Sequence, residues 1–519
     1  MYDKLAEFIA QGEYQEALYE FQEEYFHIEE RTPSEAARLC ILEASIWEAL
    51  SDGTAEFDAI SKGLSYDNTN YELYYMLGLY YQHINVNKAY LCMEQALLYC
   101  DAQEDREVIE SSFNEIKERP GVSVRGVSVM ILSYNDLELM KMCIDSIEET
   151  FPMNSFEIVV VDNASTEKGV IDYLRDKEKG AEYCFKLIEN SENLGFPAGC
   201  NIGAENCNPE NDIFFLNNDA CMTPGAIFWL RMGLYEKRNV GATGPLSNSA
   251  SLQEIDGHYF LDLLPDAAKD EENPGRWHKK MNPEMAFEIF KTYSNNRSTL
   301  LRNPYIKAFR LTGFALLLSH EAKKAVAVGE QVFDELFSPG YFEDDDLGIR
   351  LATAGFEQYI CQNSFVYHNG GGGFEGHNDA MEASREKFRE KWGFDIWDYS
   401  MPWEQACEQV LELAKEKKGL LRVLDFTCGF GANASYIKSR RKDVYIAGVC
   451  SSAFAAGIAG LIVDDVTFGE LNTVRIPWED RSFDVVIAER EFVSRGQVSH
   501  CLRPGGVWIG DDKCDIINR

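Results

Sequence analysis

The sequence predicts an α/β chain that begins with a helical-repeat domain and closes with a second, smaller α/β unit. Three observations carry this: helical spacing with small-against-large residues near the start, apolar strands alternating with amphipathic helices in the middle, and a strand, glycine turn and helix near the end. The segment that organises the middle is Asp212 to Ala220, read Asp-Ile-Phe-Phe-Leu-Asn-Asn-Asp-Ala. It is an apolar strand that runs into a polar elbow ending on Asp219. A buried strand that stops at a carboxylate puts an oxygen ligand at the carboxyl edge of a sheet, where open α/β folds bind their ligands. The competing reading is an Asn/Asp turn with no ligand.

A chain of 519 residues is expected to hold about three domains. The predicted divisions are 1–122, a tetratricopeptide-like helical domain; 123–400, the main α/β domain; and 401–519, a truncated α/β domain. The net charge of −37 argues against nucleic acid as a partner, because a phosphate backbone needs a basic footprint. It also opposes any anionic ligand, which would have to be held by a metal ion, helix N-termini and a few placed cations. The first 120 residues hold 25 acids against 8 Lys and Arg, an excess of 17, and that asymmetry marks a separate domain. No window of about 18 apolar residues occurs, and Met1 to Ala10 carries acids within its apolar pattern, so neither a membrane span nor a signal peptide is expected. The 14 cysteines are scattered without zinc spacing, which suits reduced thiols in a cytoplasm.

Taken in order, Gly12 to Leu18 reads as a join between two helices. The join recurs from Tyr74, where Gly78, Tyr81, Ala89, Met93 and Ala96 set small residues against large ones over two helices, similar to a tetratricopeptide repeat. Ala36 to Leu50 and Phe57 to Leu64 form a poorer pair between them. Three such pairs suffice for a short solenoid. The functional reading is an acidic groove for a basic or neutral polypeptide, and the plain one is a helical prop.

Arg119-Pro120-Gly121 ends the helices. Val127 to Leu132 is a strand that delivers Ser133-Tyr134-Asn135 to its carboxyl end, and Leu139 to Ile147 follows at helical spacing. Ile158 to Val161 delivers Asp162-Asn163-Ala164-Ser165. With Asp212 to Asp219, three strands bring polar loops to one edge of a parallel sheet. Asp162 is placed to accept hydrogen bonds from a base or ribose. Were the ligand a nucleoside diphosphate, Asp219 would reach it only through a hard divalent cation, Mn2+ or Mg2+.

The residues Asp162 to Ser165, Asn193-Leu194-Gly195-Phe196-Pro197-Ala198-Gly199-Cys200-Asn201-Ile202-Gly203 and Leu216-Asn217-Asn218-Asp219 together resemble the family 2 glycosyltransferases of the GT-A fold, in the rhamnosyltransferase-like branch. Later segments agree: Tyr341-Phe342-Glu343-Asp344-Asp345-Asp346-Leu347 resembles the family's Glu-Asp-x-Asp-Leu motif, Val366-Tyr367-His368 its following histidine, and Arg385 to Gly393 its closing helix. The resemblance covers about 270 residues in order. It implies that Ser133, Tyr134, Asn135 and Asp162 hold the nucleoside of a nucleotide-sugar donor, and that the loop Asn193, Gly195 and Asn201, with Asn218, lines the donor pocket. It implies further that Asp219 binds the metal, that His368 is a ligand to metal or diphosphate, and that Asp344 is the catalytic base. Asn217 departs from the pattern, since a second carboxylate often sits there.

Plainer readings stand beside these. Glu343 to Asp346 suits the acidic first turn of a helix from Asp346 to Ala354, with Asp345 or Asp346 capping and Asp344 pointing inward. Four consecutive acids leave the base open by one position. His368 alone would be a structural residue, but it precedes Gly370 to Gly373, and glycines let backbone approach a phosphate. Ser251 to Arg310, with turn signals at Asn282-Pro283 and Asn303-Pro304 and the basic run Arg276 to Lys280, reads as a surface insertion or an acceptor contact. Leu311 to Leu318 reads as a buried strand whose Gly313 permits close approach.

Arg422 to Gly431 reads as strand, glycine turn and helix. With Pro477 to Ile487 and Leu502-Arg503-Pro504-Gly505-Gly506, it resembles class I methyltransferases that bind S-adenosylmethionine. Thr427 stands at a usual glycine position, and Cys450 ends the second strand where an acid should grip the ribose. The last strands of that fold are not expected before Arg519. The expectation is a decayed fold kept for packing or for a homo-oligomer contact. For the whole chain the resemblance implies an inverting, metal-dependent transferase with a UDP-sugar donor, UDP-N-acetylglucosamine before dTDP-rhamnose. The acceptor hydroxyl is expected on a protein, as in bacterial enzymes that glycosylate flagellin, or else on a polysaccharide or lipid-linked precursor. The alternatives of another class are an inactive scaffold and an S-adenosylmethionine-binding protein.

Overall fold

The structure is a computed structural model that describes residues 2–25, 27–152, 155–255, 281–295, 297–370, 377–510 and 513–516. Apolar residues at three- and four-residue spacing make the start of the chain helical: α1 (Tyr2–Gln11), α2 (Tyr14–Tyr25), α3 (Pro33–Ala49), α4 (Gly53–Tyr66), α5 (Tyr71–Tyr81), α6 (Val86–Tyr99) and α7 (Gln103–Lys117). Polar caps fix where they begin. Thr32 and Glu35 form a capping box on α3, and Asp52, Asn70 and Asn85 accept from the first turns of α4, α5 and α6. Gly78 lets α5 and α6 approach, since a Cβ there would lie 2.7 Å from the Met93 methyl.

The middle of the chain alternates as expected. Its elements are β1 (Val127–Ser133), α8 (Leu137–Thr150), β2 (Phe156–Asp162), α9 (Val170–Gly180), β3 (Phe185–Glu189), α10 (Phe196–Asn206), β4 (Asp212–Asn217), β5 (Ala220–Met222), α11 (Ala226–Leu234) and β6 (Val240–Leu246). Then come α12 (Pro283–Asn295), β7 (Tyr305–Ala308), β8 (Ala315–Leu318), α13 (His320–Val326), α14 (Glu343–Thr353), β9 (Glu357–His368), α15 (His377–Trp392) and α16 (Trp397–Ser400). The sheet runs β3-β2-β1-β4-β8-β6-β9-β5, with β7 beside β9. Strands β3, β2, β1 and β4 are parallel. Their register pairs Ser133 with Asp162 and Leu132 with Asn217, so three polar loops leave the sheet at one level. Antiparallel pairing of β5 with β9 sets His368 opposite Ala220, one residue from Asp219.

Two expectations are corrected. The strand expected over Leu311 to Leu318 is confined to Ala315–Leu318, because Thr312 N–H donates to Gln253 Oε1 at 2.7 Å and Gly313 N–H to Asp344 Oδ2 at 3.4 Å. The helix expected from Asp346 begins at Glu343. The run Arg276 to Lys280 lies outside the described residues.

The end of the chain adds α17 (Glu404–Glu416), β10 (Leu421–Asp425), α18 (Ala432–Arg440), β11 (Val444–Cys450), α19 (Ala453–Ala459), β12 (Asp465–Phe468), β13 (Phe483–Ile487), α20 (Arg495–Cys501), β14 (Leu502–Gly510) and β15 (Lys513–Ile516). This sheet runs β12-β11-β10-β13-β14-β15, and only β15 is antiparallel to its neighbour.

Neither flanking region hangs free of the central sheet. Phe228, Trp229 and Met232 of α11 share a buried core with Tyr74, Leu77 and Ala89, and Tyr74 meets Phe228 edge-on at 5.3 Å. Within that contact Arg231 is buried and pairs with Glu94, which also accepts from Ser155 Oγ at 2.5 Å. On the other side, Phe309, Phe337, Phe342 and Ile349 share a core with Val423, Phe430 and Ile458. No described helix is long and apolar enough to cross a membrane. Removing one partner of a buried ion pair strands the other charge, so Glu94→Ala should cost about 3–5 kcal/mol, seen as a lower urea midpoint and earlier loss of protease resistance at the junction of α6 and α11.

Candidate functional site

The loops after β1 and β2 hold each other in place. Asn135 and Asp136 are both left-handed, at φ 60° and 55°, a strain of roughly 1–2 kcal/mol per residue that local bonds offset. Asn135 N–H donates to Ser165 Oγ at 2.8 Å, and its side-chain oxygen accepts from Thr166 N at 2.8 Å and Glu167 N at 3.0 Å. Asp162 is 1% exposed, and its two oxygens accept from Ser165 N at 2.9 Å and Ser165 Oγ at 2.5 Å. It therefore braces the loop first, and each oxygen keeps a further lone pair. Ser133 is buried, and its Oγ has no partner among the described residues. Tyr134, at 43% exposure, presents its ring outward.

Asn163, not singled out from the sequence, is the hub of the next loop. Its amide nitrogen donates to Asn193 Oδ1 at 2.8 Å and Gly195 O at 3.3 Å, and its oxygen accepts from Asn190 Nδ2 at 3.1 Å and Leu194 N at 3.0 Å. Asn193 Oδ1 also accepts from Gly195 N at 2.9 Å. Gly195 has φ 83°, and a Cβ on it would lie 2.6 Å from Pro339 Cα, so only glycine fits. The Asn201 side chain is spent on residues 332–335: it accepts from Val332 N and Phe333 N at 3.1 and 2.9 Å and donates to Phe333 O at 2.9 Å. Asn193, Gly195 and Asn201 thus shape this wall from behind.

At the elbow, Asn218 Nδ2 donates to Asn135 O at 3.3 Å. Asp219 faces His368, with Oδ1 3.3 Å from Nε2, and its Oδ2 accepts from Gly370 N at 3.1 Å. His368 Nδ1 lies 2.6 Å from Ser249 O. A carbonyl only accepts, so Nδ1 carries a proton. In the neutral ring Nε2 then offers a lone pair toward a carboxylate, and two electron-pair donors 3.3 Å apart fit a single cation with bonds of about 2.1 Å. In the charged ring the two form an ion pair. Burial works to raise the Asp219 carboxyl, but the His368 charge and hydrogen bond and the Gly370 N–H outweigh it and hold the group below its usual value. Among the described residues no cluster of three or more His, Cys, Asp or Glu forms a metal site. Residues 371–373 of the glycine run lie outside the described residues.

The acid run divides by direction. The N-cap of α14 is Phe342, at φ 68°, and no side chain caps the helix. This corrects the expectation that Asp345 or Asp346 would cap; the left-handed Phe342 turns the chain so sharply that all four acids fall inside the first turn. Asp346, at 0% exposure, accepts from Arg350 Nε at 2.8 Å and Trp392 Nε1 at 2.9 Å and pairs with Lys391, so it ties α14 to α15. Asp345 lies 2.8 Å from Arg310 Nε, and burial pushes its carboxyl up to about 7. Glu343 is raised by burial and the Asp344 charge, and its Oε2 is buried with no hydrogen-bond partner among the described residues. Asp344 is the least buried of the four. Its Oδ2 accepts from Gly313 N at 3.4 Å and Arg310 Nη1 at 3.3 Å, and its Oδ1 from Asp345 N at 2.9 Å.

One short segment joins the two acidic centres. Gly313 donates to Asp344, and the next residue, Phe314, stacks on the His368 ring at 4.7 Å and 24°. Phe314 O accepts from Asn217 N at 2.8 Å. Asp219 and Asp344, far apart in the sequence, therefore flank one dipeptide.

The glycine turn after β10 is filled. A Cβ on Gly429 would lie 2.5 Å from Tyr399 O, Phe430 N–H donates to that same oxygen at 2.9 Å, and the Tyr399 ring stacks on Phe430 at 5.0 Å. Asp425 spends its oxygens on Thr427 and Asn433. The Tyr399 backbone and ring thus occupy the space beside this turn.

Residues 128–245 match the family model described as Glycosyl transferase family 2. No curated protein matches the chain. Among solved structures, GalNAc-T7 with UDP, GalNAc and Mn2+ is similar at 15% identity and a TM-score of 0.35, over 47% of this chain and 44% of that one. The mannosyltransferase PcManGT from Pyrobaculum calidifontis with GDP-Man and Mn2+ is similar at 13% identity and 0.32, over 68% and 98%. A fragment of S. aureus TarS follows at 10% and 0.31, over 61% and 81%. The chain thus spans less than half the length of GalNAc-T7.

The depressed Asp219 carboxyl contributes stability that is present above the unfolded value, about 3.9, and lost as pH falls through the folded one. In His368→Ala, carbon NMR of labelled aspartates should show this carboxyl titrating at higher pH than in the parent protein. An unchanged titration would remove the ring from the account of Asp219.

Proposed function

We propose that residues 123–400 form a GT-A-type glycosyltransferase unit, which moves one sugar from a nucleoside diphosphate donor to a hydroxyl with inversion. The observation that carries this is the gathering of Asp219, His368 and Asp344 around Gly313 and Phe314, beside the aligned ends of β1, β2 and β4. The family match over residues 128–245 supports it.

In this reading the exposed Tyr134 ring, the unpartnered Ser133 Oγ, Asn135 and the spare lone pairs of Asp162 take the nucleoside. Asn193, Gly195, Asn201 and Asn218 keep the pocket wall in shape. Asp219 and His368 would hold Mn2+ or Mg2+. When bound, the cation offsets charge on the departing diphosphate as a Lewis acid. Asp344 takes the proton of the acceptor hydroxyl as that oxygen bonds to the anomeric carbon, while the carbon's bond to phosphate oxygen breaks on the opposite face. The proton ends on Asp344, and the electron pair leaves with the nucleoside diphosphate. Glu343 and Asp346 are too buried to serve as this base; Asp346 instead anchors α15.

UDP-N-acetylglucosamine is the favoured donor and dTDP-rhamnose the next. The acceptor is assigned to a polypeptide hydroxyl, in the manner of flagellin-modifying enzymes, because an acidic helical domain packs directly on α11 of the transferase unit. The 401–519 unit is read as a decayed methyltransferase fold, since Tyr399 fills its glycine turn.

Three measurements bear on this. A thermal-shift screen of nucleotide sugars should show stabilisation that grows with manganese. Asp219→Ala and Asp344→Ala should each cut manganese-dependent release of nucleoside diphosphate by orders of magnitude, and Asp344→Ala should leave donor affinity nearly intact; a scaffold would release none even as the parent protein. Isothermal titration with S-adenosylmethionine should give no binding, and micromolar affinity would defeat the decayed reading.

A further inference from the structure

We infer that Arg310 is a positioning residue for Asp344, holding its carboxylate in the orientation that the proton transfer needs. The inference rests on the assignment of Asp344 as the base. Arg310 is half-buried against α14, and its guanidinium faces three partners. Nη1 lies 3.3 Å from Asp344 Oδ2, Nε 2.8 Å from Asp345 Oδ1, and Nη2 3.3 Å from Ser251 Oγ. A planar fork hydrogen-bonded through both terminal nitrogens, with its charge paired to Asp345, has one orientation, which a flexible ammonium could not copy.

The backbone behind it is fixed as firmly. Gly348 lies one helical turn after Asp344, and a Cβ on it would sit 2.5 Å from Arg310 Cβ and 2.8 Å from Phe309 O. Gln358 Nε2 clamps the same contact, donating to Phe309 O at 2.6 Å and Gly348 O at 3.0 Å. Phe309 in turn packs on Phe430 of the terminal sheet at 5.7 Å. The base and its guanidinium therefore ride on one rigid contact between the 309–310 segment and α14.

Among the described residues the charges that face Asp344 are those of Glu343 and Asp345 on its own helix and Arg310 opposite, with the Gly313 and Asp345 N–H groups bonded to its oxygens; Asp346 is turned away to Arg350, Lys391 and Trp392. Arg310 is the only cation in that set, so its loss leaves the base among like charges with its rotamer released.

The test uses the full chain with UDP-N-acetylglucosamine, or the nucleotide sugar with the largest thermal shift, and follows manganese-dependent release of nucleoside diphosphate. Arg310→Gln should lower kcat by about tenfold or more and leave donor affinity within about twofold. Arg310→Lys should keep the charge, leave donor affinity unchanged and recover only part of kcat. Gly348→Ala, which displaces the arginine without removing it, should resemble the lysine variant. If Arg310→Gln melts early, the lysine and Gly348→Ala variants decide alone. Parent-like kcat in both, or a folded Arg310→Gln with parent-like kcat, overturns the inference while Asp344→Asn still abolishes release. If Asp344→Asn retains release, the base assignment itself falls and the role of Arg310 falls with it.

Discussion

The peptide from Gly313 to Phe314 is the constraint on which the site depends. Its N–H binds the carboxylate of Asp344 and its aromatic ring lies flat on His368, whose other edge faces Asp219. The two centres are thereby tied to adjacent residues, one through a backbone N–H and the other through a stacked ring. Strand β8 supplies the rigidity, because Ala315–Leu318 is buried and paired with β4 on one side and β6 on the other.

The flanking regions join this arrangement through shared cores. The helical region packs on α11, with Arg231 and Glu94 sealed inside the contact. The terminal sheet contributes Phe430, which touches Phe309, Tyr399 and Phe394, while Phe342 at the start of α14 lies in the same core. Those contacts reach the two residues adjacent in sequence to Arg310 and Glu343. The terminal α/β unit thus packs against the start of the helix that carries the acid run.

Much of the fold was legible in the sequence, for a physical reason. Val127–Ser133, Phe156–Asp162 and Asp212–Asn217 are buried on both faces and read as unbroken apolar runs, and the polar residues at their ends fall at one level because parallel register carries them there. What stayed hidden depends on contacts distant in the chain. Asn163 looked like one more loop residue, yet it bonds residues some thirty positions away. Arg310 ended an unreadable segment, and its partner Asp344 lies 34 residues on. The acid run was expected to cap its helix, which follows from propensity, but Phe342 took the cap position in a left-handed conformation that no local preference signals. Tyr399 closing the glycine turn was equally invisible, since that turn reads the same whether a cofactor or a neighbouring ring fills it.

The most direct measurement is anomalous scattering at the manganese edge from crystals soaked with Mn2+ and UDP. A peak within bonding distance of both Asp219 Oδ1 and His368 Nε2, on the side of Phe314 that faces Asp344, is the expected result. A manganese ion bound elsewhere, with Asp219 and His368 still paired only to each other, would contradict the central claim that these two residues form the cation site of a sugar-transferring cleft.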